Sequence, residues 1–333
     1  MITRRHAMLA GSAALAMTPR VVCAQKAYDP GASDTEIKIG QTAPFSGPAS
    51  VYATVSRAIS AYFAMVNENG GINGRKLTLL AKDDSFSPPK TVELTRQLVE
   101  QDNVLFIYQT LGTATNTVIQ RYLNTRKIPQ LYISTGASKW NDPAQYPWTL
   151  ASYPNNRTEA KIYGAYIRKT MPDAKVGILY QNDDFGKDYL EGLRDGLSDR
   201  AAAMLVAKAS YELTDPNVDS QAIALRHSGA DTLLLAAFAK QTTQALRKIA
   251  DLAWKPAMFV TWASSSIPTV LTPAGLENAS GLVTSSVVKD SGDPRWQNDA
   301  DMIAYKAWMK RYYRRAIRTT WAMSGPMRCH PCW

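Results

Sequence analysis

The sequence predicts an α/β protein of two lobes, each built on a doubly wound, mostly parallel sheet. Short apolar strand patterns alternate with amphipathic helix patterns along most of the 333 residues, an order typical of parallel sheets with helices on both faces. Residues 141–154 interrupt this order with three prolines, and a second series of the same kind follows. We expect a chain of this length to form two domains, joined by a hinge of several strands because it crosses between them more than once.

The first series opens with a βαβ unit. Residues 37–40 alternate with a period of two, as a strand does, and the prolines and glycine at 44–48 then require a turn. From Val51 the apolar residues recur at the spacing of one helix face, until the Asn-Gly-Gly sequence at 69–71 ends the helix. Residues 76–80 supply the second strand. Such sheets bind ligands beside the loop that leaves the carboxyl end of the first strand.

The remaining elements follow the same logic. The continuous apolar run at 104–108 is typical of a strand buried on both faces. The other strands are predicted at 131–133, 176–180, 204–209, 232–237 and 257–261. Helices are predicted after 88–89, at 115–125, 156–169, from 187, at 220–227, at 241–252 and, last, at 304–313.

The first 24 residues have the pattern of a signal peptide. Two arginines at 4–5 precede an apolar run at 7–17 that is too short to span a bilayer, and Val-Cys-Ala at 22–24 offers a cleavage site. We therefore expect export and a mature chain that begins at Gln25. The paired arginines leave the general secretory route and the twin-arginine route both open.

The formal net charge of +10 mainly reflects the two ends of the chain. Residues 1–24 and 314–333 carry seven arginines and no acid, so the body between them is near +3, with both signs interspersed. No basic stripe of the kind that binds nucleic acid is visible, and we expect no nucleic-acid partner. The abrupt change of composition at 314 leads us to expect a frameshifted or truncated C terminus.

The composition argues against an enzyme. Between Gln25 and Arg328 there is no cysteine and one histidine, His227, which we assign to the exposed end of a helix. The usual nucleophile–base pairs and imidazole-rich metal sites cannot be built from this set. Asp83-Asp84 and Asp183-Asp184 follow predicted strands, where carboxylates commonly act as caps and loop anchors. We therefore predict no catalytic residue, no metal and no cofactor.

A series of short motifs resembles one family. The motifs are Ile-Lys-Ile-Gly at 37–40, Pro-Phe-Ser-Gly-Pro at 44–48, Val-Asn-Glu-Asn-Gly-Gly-Ile-Asn-Gly-Arg-Lys-Leu at 66–77, Lys-Asp-Asp at 82–84, Lys-Ile-Pro at 127–129 and Tyr-Gln-Asn-Asp-Asp-Phe-Gly at 180–186. Their order and spacing resemble the periplasmic binding proteins for branched-chain and related amino acids, which are receptors of ABC importers. The resemblance extends to Tyr313.

The resemblance implies a type I periplasmic binding fold whose lobes close over a ligand by hinge motion. It implies a first lobe of residues 35–153 with about 285–313, a second lobe of 154–284, and an atypical tail at 314–333. It further implies a monomeric periplasmic receptor for an amino acid or an aromatic or aliphatic carboxylate, with the permease and ATPase subunits of an importer as partners. A ligand-sensing module for a signalling partner and a non-functional truncated receptor remain alternatives.

Two loops are candidates for holding a ligand carboxylate. Glycines, an alanine and hydroxyl side chains follow two predicted strands at Gly112, Thr113, Thr115, Gly136, Ala137 and Ser138. Hydroxyls and the N–H groups at helix starts bind carboxylates, so we expect the two loops to lie side by side as a cradle, with ordinary helix caps as the alternative. By resemblance, Gly112 and Thr113 hold the ligand carboxylate, and Gly136 and Ser138 hold its amino and carboxyl groups.

Aromatic residues complete the predicted pocket. By resemblance Tyr52, Phe185 and Phe238 line it; Tyr52 and Phe185 are predicted in loops, whereas Phe238 ends a buried strand and a core position stays open for it. The family's acidic partner for the ligand ammonium is missing near 262–263, where Trp262 instead offers an apolar wall. A buried ammonium without a partner is unfavourable, so we predict a carboxylate without a free amine, or one with an aromatic or long aliphatic body.

Overall fold

The computed structural model of the protein describes residues 27–313, so the predicted signal peptide and the atypical tail lie outside the described residues. The strands are β1 (Glu36–Ala43), β2 (Lys76–Asp83), β3 (Phe106–Tyr108), β4 (Gln130–Ile133), β5 (Thr149–Ala151), β6 (Val176–Gln181), β7 (Leu205–Tyr211), β8 (Thr232–Ala236), β9 (Ala257–Val260) and β10 (Val283–Thr284). The helices are α1 (Ala53–Glu68), α2 (Pro88–Glu100), α3 (Thr113–Thr125), α4 (Asn156–Thr170), α5 (Asp184–Leu197), α6 (Ala201–Met204), α7 (Asp219–His227), α8 (Ala239–Asp251), α9 (Thr272–Ala274) and α10 (Ala300–Trp308).

These strands form two parallel sheets, each the centre of one lobe. The first has the order β2-β1-β3-β4-β5 and the second the order β10-β9-β8-β6-β7. Strand β8 is buried along its whole length and β6 along most of it, because helices cover both faces of the second sheet. The predicted α/β fold of two parallel-sheet lobes is confirmed. Within residues 27–313, no helix combines the length and apolar character needed to traverse a bilayer.

The described chain passes between the two sheets twice. It leaves the first sheet after β5 and enters α4, and it leaves the second sheet after β10. The segment that follows returns to the first lobe, where the ring of Trp308 lies 6.3 Å from that of Tyr62 on α1. We propose that the lobes divide as predicted, with residues 35–153 and about 285–313 in the first lobe and residues 154–284 in the second. This division fits the path of the chain.

Several element bounds differ from the prediction. Strands β5 and β10 were not predicted, because two or three residues at a sheet edge carry no periodic pattern of their own. Helix α5 begins at Asp184 and not at Lys187, since Asp183 is its N-cap and accepts a hydrogen bond from the Gly186 N–H at 3.2 Å. Phe185 therefore lies buried in the first turn of a helix, and its predicted loop position is wrong. His227 ends α7 and is exposed, as predicted.

Helices α4 and α5 cross with their backbones in contact. Three glycines make this possible: a methyl group on Gly164 would stand 2.6 Å from the Leu193 carbonyl oxygen, and one on Gly192 or Gly196 would overlap backbone atoms of α4. Interiors packed this closely do not absorb an added methylene. The crossing fixes the start of α4 and the start of α5 relative to each other, and both helix starts border the cavity between the lobes.

We expect Gly196→Ala to lower the free energy of unfolding by about 2 kcal/mol or more, because the added methyl group overpacks the α4–α5 crossing. Urea denaturation of the purified protein measures this change. Gly292→Ala is the matched control, since a methyl group there meets only the Asp290 side chain, at 3.3 Å. Equal stability of the two variants would contradict the crossing.

Candidate ligand-binding site

A cavity of about 270 Å³ lies between the lobes, at the carboxyl ends of strands from both sheets. The first lobe contributes residues that follow β1, β3 and β4, among them Val51, Tyr52, Leu111, Gly112, Ser134 and Gly136. The second lobe contributes Phe185 after β6, Phe238 after β8 and Trp262 after β9. Loops after the carboxyl ends of parallel strands are the usual ligand sites of such sheets. Most of the lining is apolar.

Phe238 is the centre of an aromatic cluster that joins the two lobes. Its ring stacks on Phe185 of its own lobe, with centroids 5.0 Å apart and planes at 6°. The first lobe supplies Tyr52 and Phe86, whose rings meet Phe238 edge-on at 5.6 Å and 5.2 Å. Offset and edge-on arrangements of this kind are favourable beyond the area they bury. Phe86 is not among the site residues predicted from the sequence.

The Tyr52 hydroxyl makes hydrogen bonds across the cleft. It accepts one from the Ala239 N–H at the start of α8, at 3.0 Å, and donates one to the Ala263 carbonyl, at 3.2 Å. Burial raises the pKa of this phenol above its usual value. Tyr52 lies in a short helical turn that precedes α1, and so its predicted loop position is wrong.

Two polar contacts close the lobes beside the cavity. The Ser138 N–H donates to the Asp188 carboxylate at 2.5 Å, and the Lys139 ammonium lies 2.8 Å from the Asp184 carboxylate. Burial raises the pKa of Asp188, although the hydrogen bonds from Ser138 oppose the shift. Both carboxylates belong to α5, so the start of this helix is tied to the turn that follows β4.

The two predicted cradle loops lie side by side. The Gly112 N–H donates to the Ser134 carbonyl at 3.2 Å, and the hydroxyls of Thr113 and Thr135 are 2.6 Å apart. Gly112 has a φ of +95°, and a methyl group there would overlap the ring of Phe86. Only glycine adopts this positive φ without strain and also leaves room for the Phe86 ring.

The ten predicted site residues fall into two groups. Tyr52, Gly112, Gly136, Phe185, Phe238 and Trp262 line the cavity. The other four do not line it: Thr113 and Thr115 are buried, with hydroxyls bonded to Thr135 and to the Gly112 carbonyl respectively, Ala137 is buried, and Ser138 contacts Asp188. These four shape the loops around the cavity.

Two polar residues that line the cavity were not predicted from the sequence. Ser134 and Asn156 are among the residues that line the cavity, and the Ser134 hydroxyl and the Asn156 amide nitrogen are buried without a hydrogen-bond partner. Of the Asn155-Asn156 pair, only the first residue caps the helix. Asn155 caps α4 by accepting from the Thr158 N–H at 3.0 Å, which leaves the second asparagine without a capping role.

No charged side chain occurs among the described residues that line the cavity. The carboxylate of Glu159, one turn along α4 from Asn156, is 6% exposed and is already satisfied. It accepts hydrogen bonds from four donors: the hydroxyls of Tyr163 (2.8 Å), Tyr189 (2.5 Å) and Ser285 (2.7 Å) and the Trp262 N–H (2.8 Å). Burial, reinforced by the nearby Glu159 charge, raises the pKa of the Tyr163 hydroxyl. The Glu159 carboxylate thus fixes the backbone of the residue that forms one wall of the cavity.

Asp83 anchors the turn that leads to Tyr52. Its carboxylate accepts hydrogen bonds from the Ser46 N–H (3.1 Å), the Ser46 hydroxyl (2.6 Å) and the Ser85 N–H (2.9 Å). Burial alone would raise the pKa of this carboxyl, but the hydrogen bonds outweigh it and hold the pKa below its ordinary value. The residue is a loop anchor, as predicted for carboxylates that follow strands. Groups of three or more side chains able to hold a metal are absent from residues 27–313.

A family model described as periplasmic binding protein matches residues 36–327. The chain belongs to the periplasmic binding protein family. It is 24% identical over 184 residues to "Leu/Ile/Val-binding protein homolog 1" of Brucella abortus, a match that covers 55% of this chain and 48% of the relative. The chain thus spans about half the length of the curated relatives it matches.

Solved structures share the fold at lower identity. A fatty acid ABC transporter substrate-binding protein from Thermomonospora curvata has a TM-score of 0.73 at 19% identity, covering 86% of this chain and 72% of that chain. A branched-chain amino acid ABC transporter protein from Thermus thermophilus, with bound valine, has a TM-score of 0.71 at 15% identity, covering 84% and 72%.

The predicted family resemblance and type I periplasmic binding fold are confirmed. The family consists of substrate-binding receptors, which also confirms the prediction that the chain is not an enzyme. One expectation is wrong: the family match does not end at Tyr313 but continues to residue 327. The composition change at 314 therefore does not mark the end of the similarity.

We expect Glu159→Gln to lower the free energy of unfolding by about 1.5–3 kcal/mol, because an amide replaces the charged acceptor of four hydrogen bonds. Glu191→Gln on α5 is the control. Its carboxylate is half exposed and pairs with Arg194 on the surface, so we expect a loss below about 0.5 kcal/mol. Urea denaturation compares the two, and equal losses would contradict the role of Glu159.

We expect the stabilising effect of Asp83 to depend on pH. Because the folded-state pKa is lowered, the contribution is present above the ordinary pKa of 3.8 and is lost as the pH falls through the lower folded value. The difference in urea midpoint between the parent protein and Asp83→Asn should therefore be constant near neutrality and shrink below pH 3.8. The control is Asp173→Asn, at an exposed site. Its urea midpoint should differ little from that of the parent protein, both near neutrality and below pH 3.8. A pH-independent difference would refute the assignment.

Proposed function

We propose that the protein is an extracytoplasmic solute receptor that captures a small carboxylate or amino-acid-like ligand between its lobes and delivers it to an ABC importer. One observation carries this proposal: a small, mostly apolar cavity lies between the carboxyl ends of strands from both lobes, which contact each other directly beside it. Sites that bind small molecules are typically concave, largely apolar and supplied with a few placed polar groups.

Relatives support the importer partner. The Thermomonospora and Thermus structures are named as ABC transporter proteins for a fatty acid and a branched-chain amino acid, and the Brucella relatives as Leu/Ile/Val-binding protein homologues. The permease and ATPase subunits of an importer are therefore the proposed partners of a monomeric, cofactor-free receptor. The family and the predicted signal peptide support a periplasmic location.

We assign ligand contact to the six predicted residues that line the cavity, together with Ser134, Asn156 and Tyr153. The rings of Tyr153 and Trp262 meet edge-on at 5.3 Å and provide an apolar wall. Thr113, Thr115 and Ser138 of the two cradle loops hold these contacts in position without touching the ligand.

A thermal-shift screen of the mature protein against amino acids, aromatic acids and aliphatic carboxylates tests the proposal. A ligand that binds only the folded state stabilises it by mass action, by about 2.7 kcal/mol at one hundred times its Kd. We expect one ligand class to raise the melting midpoint, and Trp262→Ala to remove most of that rise. Trp148→Ala, at an exposed tryptophan outside the cavity, should keep it.

A cooperative melt that no small molecule shifts would contradict the receptor function. Delivery to an importer is tested separately, by uptake of the radiolabelled ligand in cells with and without the gene. Binding in the purified protein with unchanged uptake in cells would contradict the transport part of the proposal.

A further inference from the structure

The lobes hold each other directly, through a tyrosine of one lobe that docks on a helix of the other. We propose that this contact, the Tyr52 hydroxyl on the start of α8, is a latch that keeps the lobes closed before a solute binds. The lobes then open only transiently, to load or release a solute. The closed form is already populated, which raises the apparent affinity for a solute that binds it. This inference goes beyond the proposed receptor function and does not depend on which solute is bound.

One hydroxyl of the first lobe bonds to two segments of the second. The Tyr52 hydroxyl accepts from the Ala239 N–H at 3.0 Å and donates to the Ala263 carbonyl, in the turn after β9, at 3.2 Å. Ala239 is the first residue of α8, and the N–H groups of a first helical turn have no acceptor within their own helix. An oxygen placed there satisfies one of them. Tyr52 therefore supplies, from within the chain, a polar bridge between the lobes.

A buried relay of hydrogen bonds holds the start of α8 in place to receive this hydroxyl. The Phe238 N–H donates to the Tyr211 hydroxyl at 3.1 Å, which donates to the Gln181 side-chain oxygen at 3.1 Å. The Gln181 amide in turn donates to the carboxylate of Asp183, the N-cap of α5, at 2.7 Å. The relay connects the starts of α8 and α5, which carry the stacked rings of Phe238 and Phe185. The second lobe thus presents a preformed surface, so that closure orders few additional groups.

Aromatic rings add an apolar contact beside the hydroxyl. Tyr52 and Phe86 of the first lobe meet the Phe238 ring edge-on, and both phenylalanines are buried. Opening the lobes would expose these rings to water, which is unfavourable. The ion pair of Lys139 with Asp184 also joins the lobes, but it is partly exposed, and such pairs contribute little. We therefore assign the closed state mainly to Tyr52 and the rings around it.

The distance between spin labels on the two lobes tests the latch. One label is attached at Lys90→Cys, in the first turn of α2, and the other at Thr214→Cys, in the loop after β7. Both sites are exposed and follow the carboxyl ends of strands, on the side of the cleft. Cys329→Ser and Cys332→Ser remove the other labelling sites of the mature chain. Unfolding in urea, dialysis and refolding remove any solute carried over from the cells, and pulsed electron paramagnetic resonance then measures the distances.

We expect the refolded parent protein to give mainly one short distance, that of the closed lobes. Tyr52→Phe removes the hydroxyl with its two hydrogen bonds and should raise the ratio of open to closed molecules about tenfold. Tyr52→Ala also removes the ring that meets Phe238 and should raise this ratio at least about a hundredfold. Tyr62→Ala is the matched control, at an exposed tyrosine on α1 of the same lobe, and should give the distances of the parent protein.

A refolded parent protein that is mainly open would overturn the latch. If that protein was closed as purified, closure requires a solute, a result that would support the receptor function while removing the latch. Tyr52→Ala with the distances of the parent protein would overturn the latch too, because neither the hydroxyl nor the ring would then hold the lobes. Thermal melts of all variants separate opening from unfolding. A Tyr52→Ala variant without a cooperative melt leaves the decision to Tyr52→Phe, where an unchanged ratio of open to closed molecules is the contrary result.

Discussion

The buried carboxylate of Glu159 joins the parts of the second lobe on which the cavity depends. Its four donors come from α4, from α5, from the turn after β9 and from the segment after β10. A buried charge is tolerated only when its hydrogen-bonding capacity is met, so these elements hold one arrangement relative to one another. The glycine crossing of α4 and α5 allows that arrangement, because it brings the two helices close enough to share the carboxylate.

Much of the fold follows from sequence patterns, whereas part of the site does not. The alternation of strands and helices gave both lobes, since periodicity is a local property that a single sequence displays. The edge strands β5 and β10 have too few residues to show it. Tyr52, Phe185 and Phe238 were found as pocket candidates because they match aromatic positions of the family's pocket, and Trp262 because it stands near the position of the family's acidic residue.

Ser134 and Asn156, which also line the cavity, could not be found in the same way. An asparagine at the start of a helix is normally a cap, and a serine after a strand is normally a loop residue. Only the three-dimensional arrangement distinguishes them. It shows that Asn155 is the cap, and that the Ser134 hydroxyl and the Asn156 amide nitrogen have no hydrogen-bond partner. In contrast, the missing acid near Trp262 was evident once the residues were compared with the family's pattern, and no charged side chain occurs among the described residues that line the cavity.

The lack of charged side chains among the described lining residues determines how binding of an acid would depend on pH and on salt concentration. Among the described residues that line the cavity there is no carboxylate, histidine, lysine or arginine, so the acid limb of binding is governed by the ligand's own dissociation constant and not by titration of the lining. Fixed dipoles beside a largely apolar cavity are also less screened by dissolved ions than exposed charges are. Such a receptor would retain its affinity across changes in salinity, as long as the solute itself stays ionised.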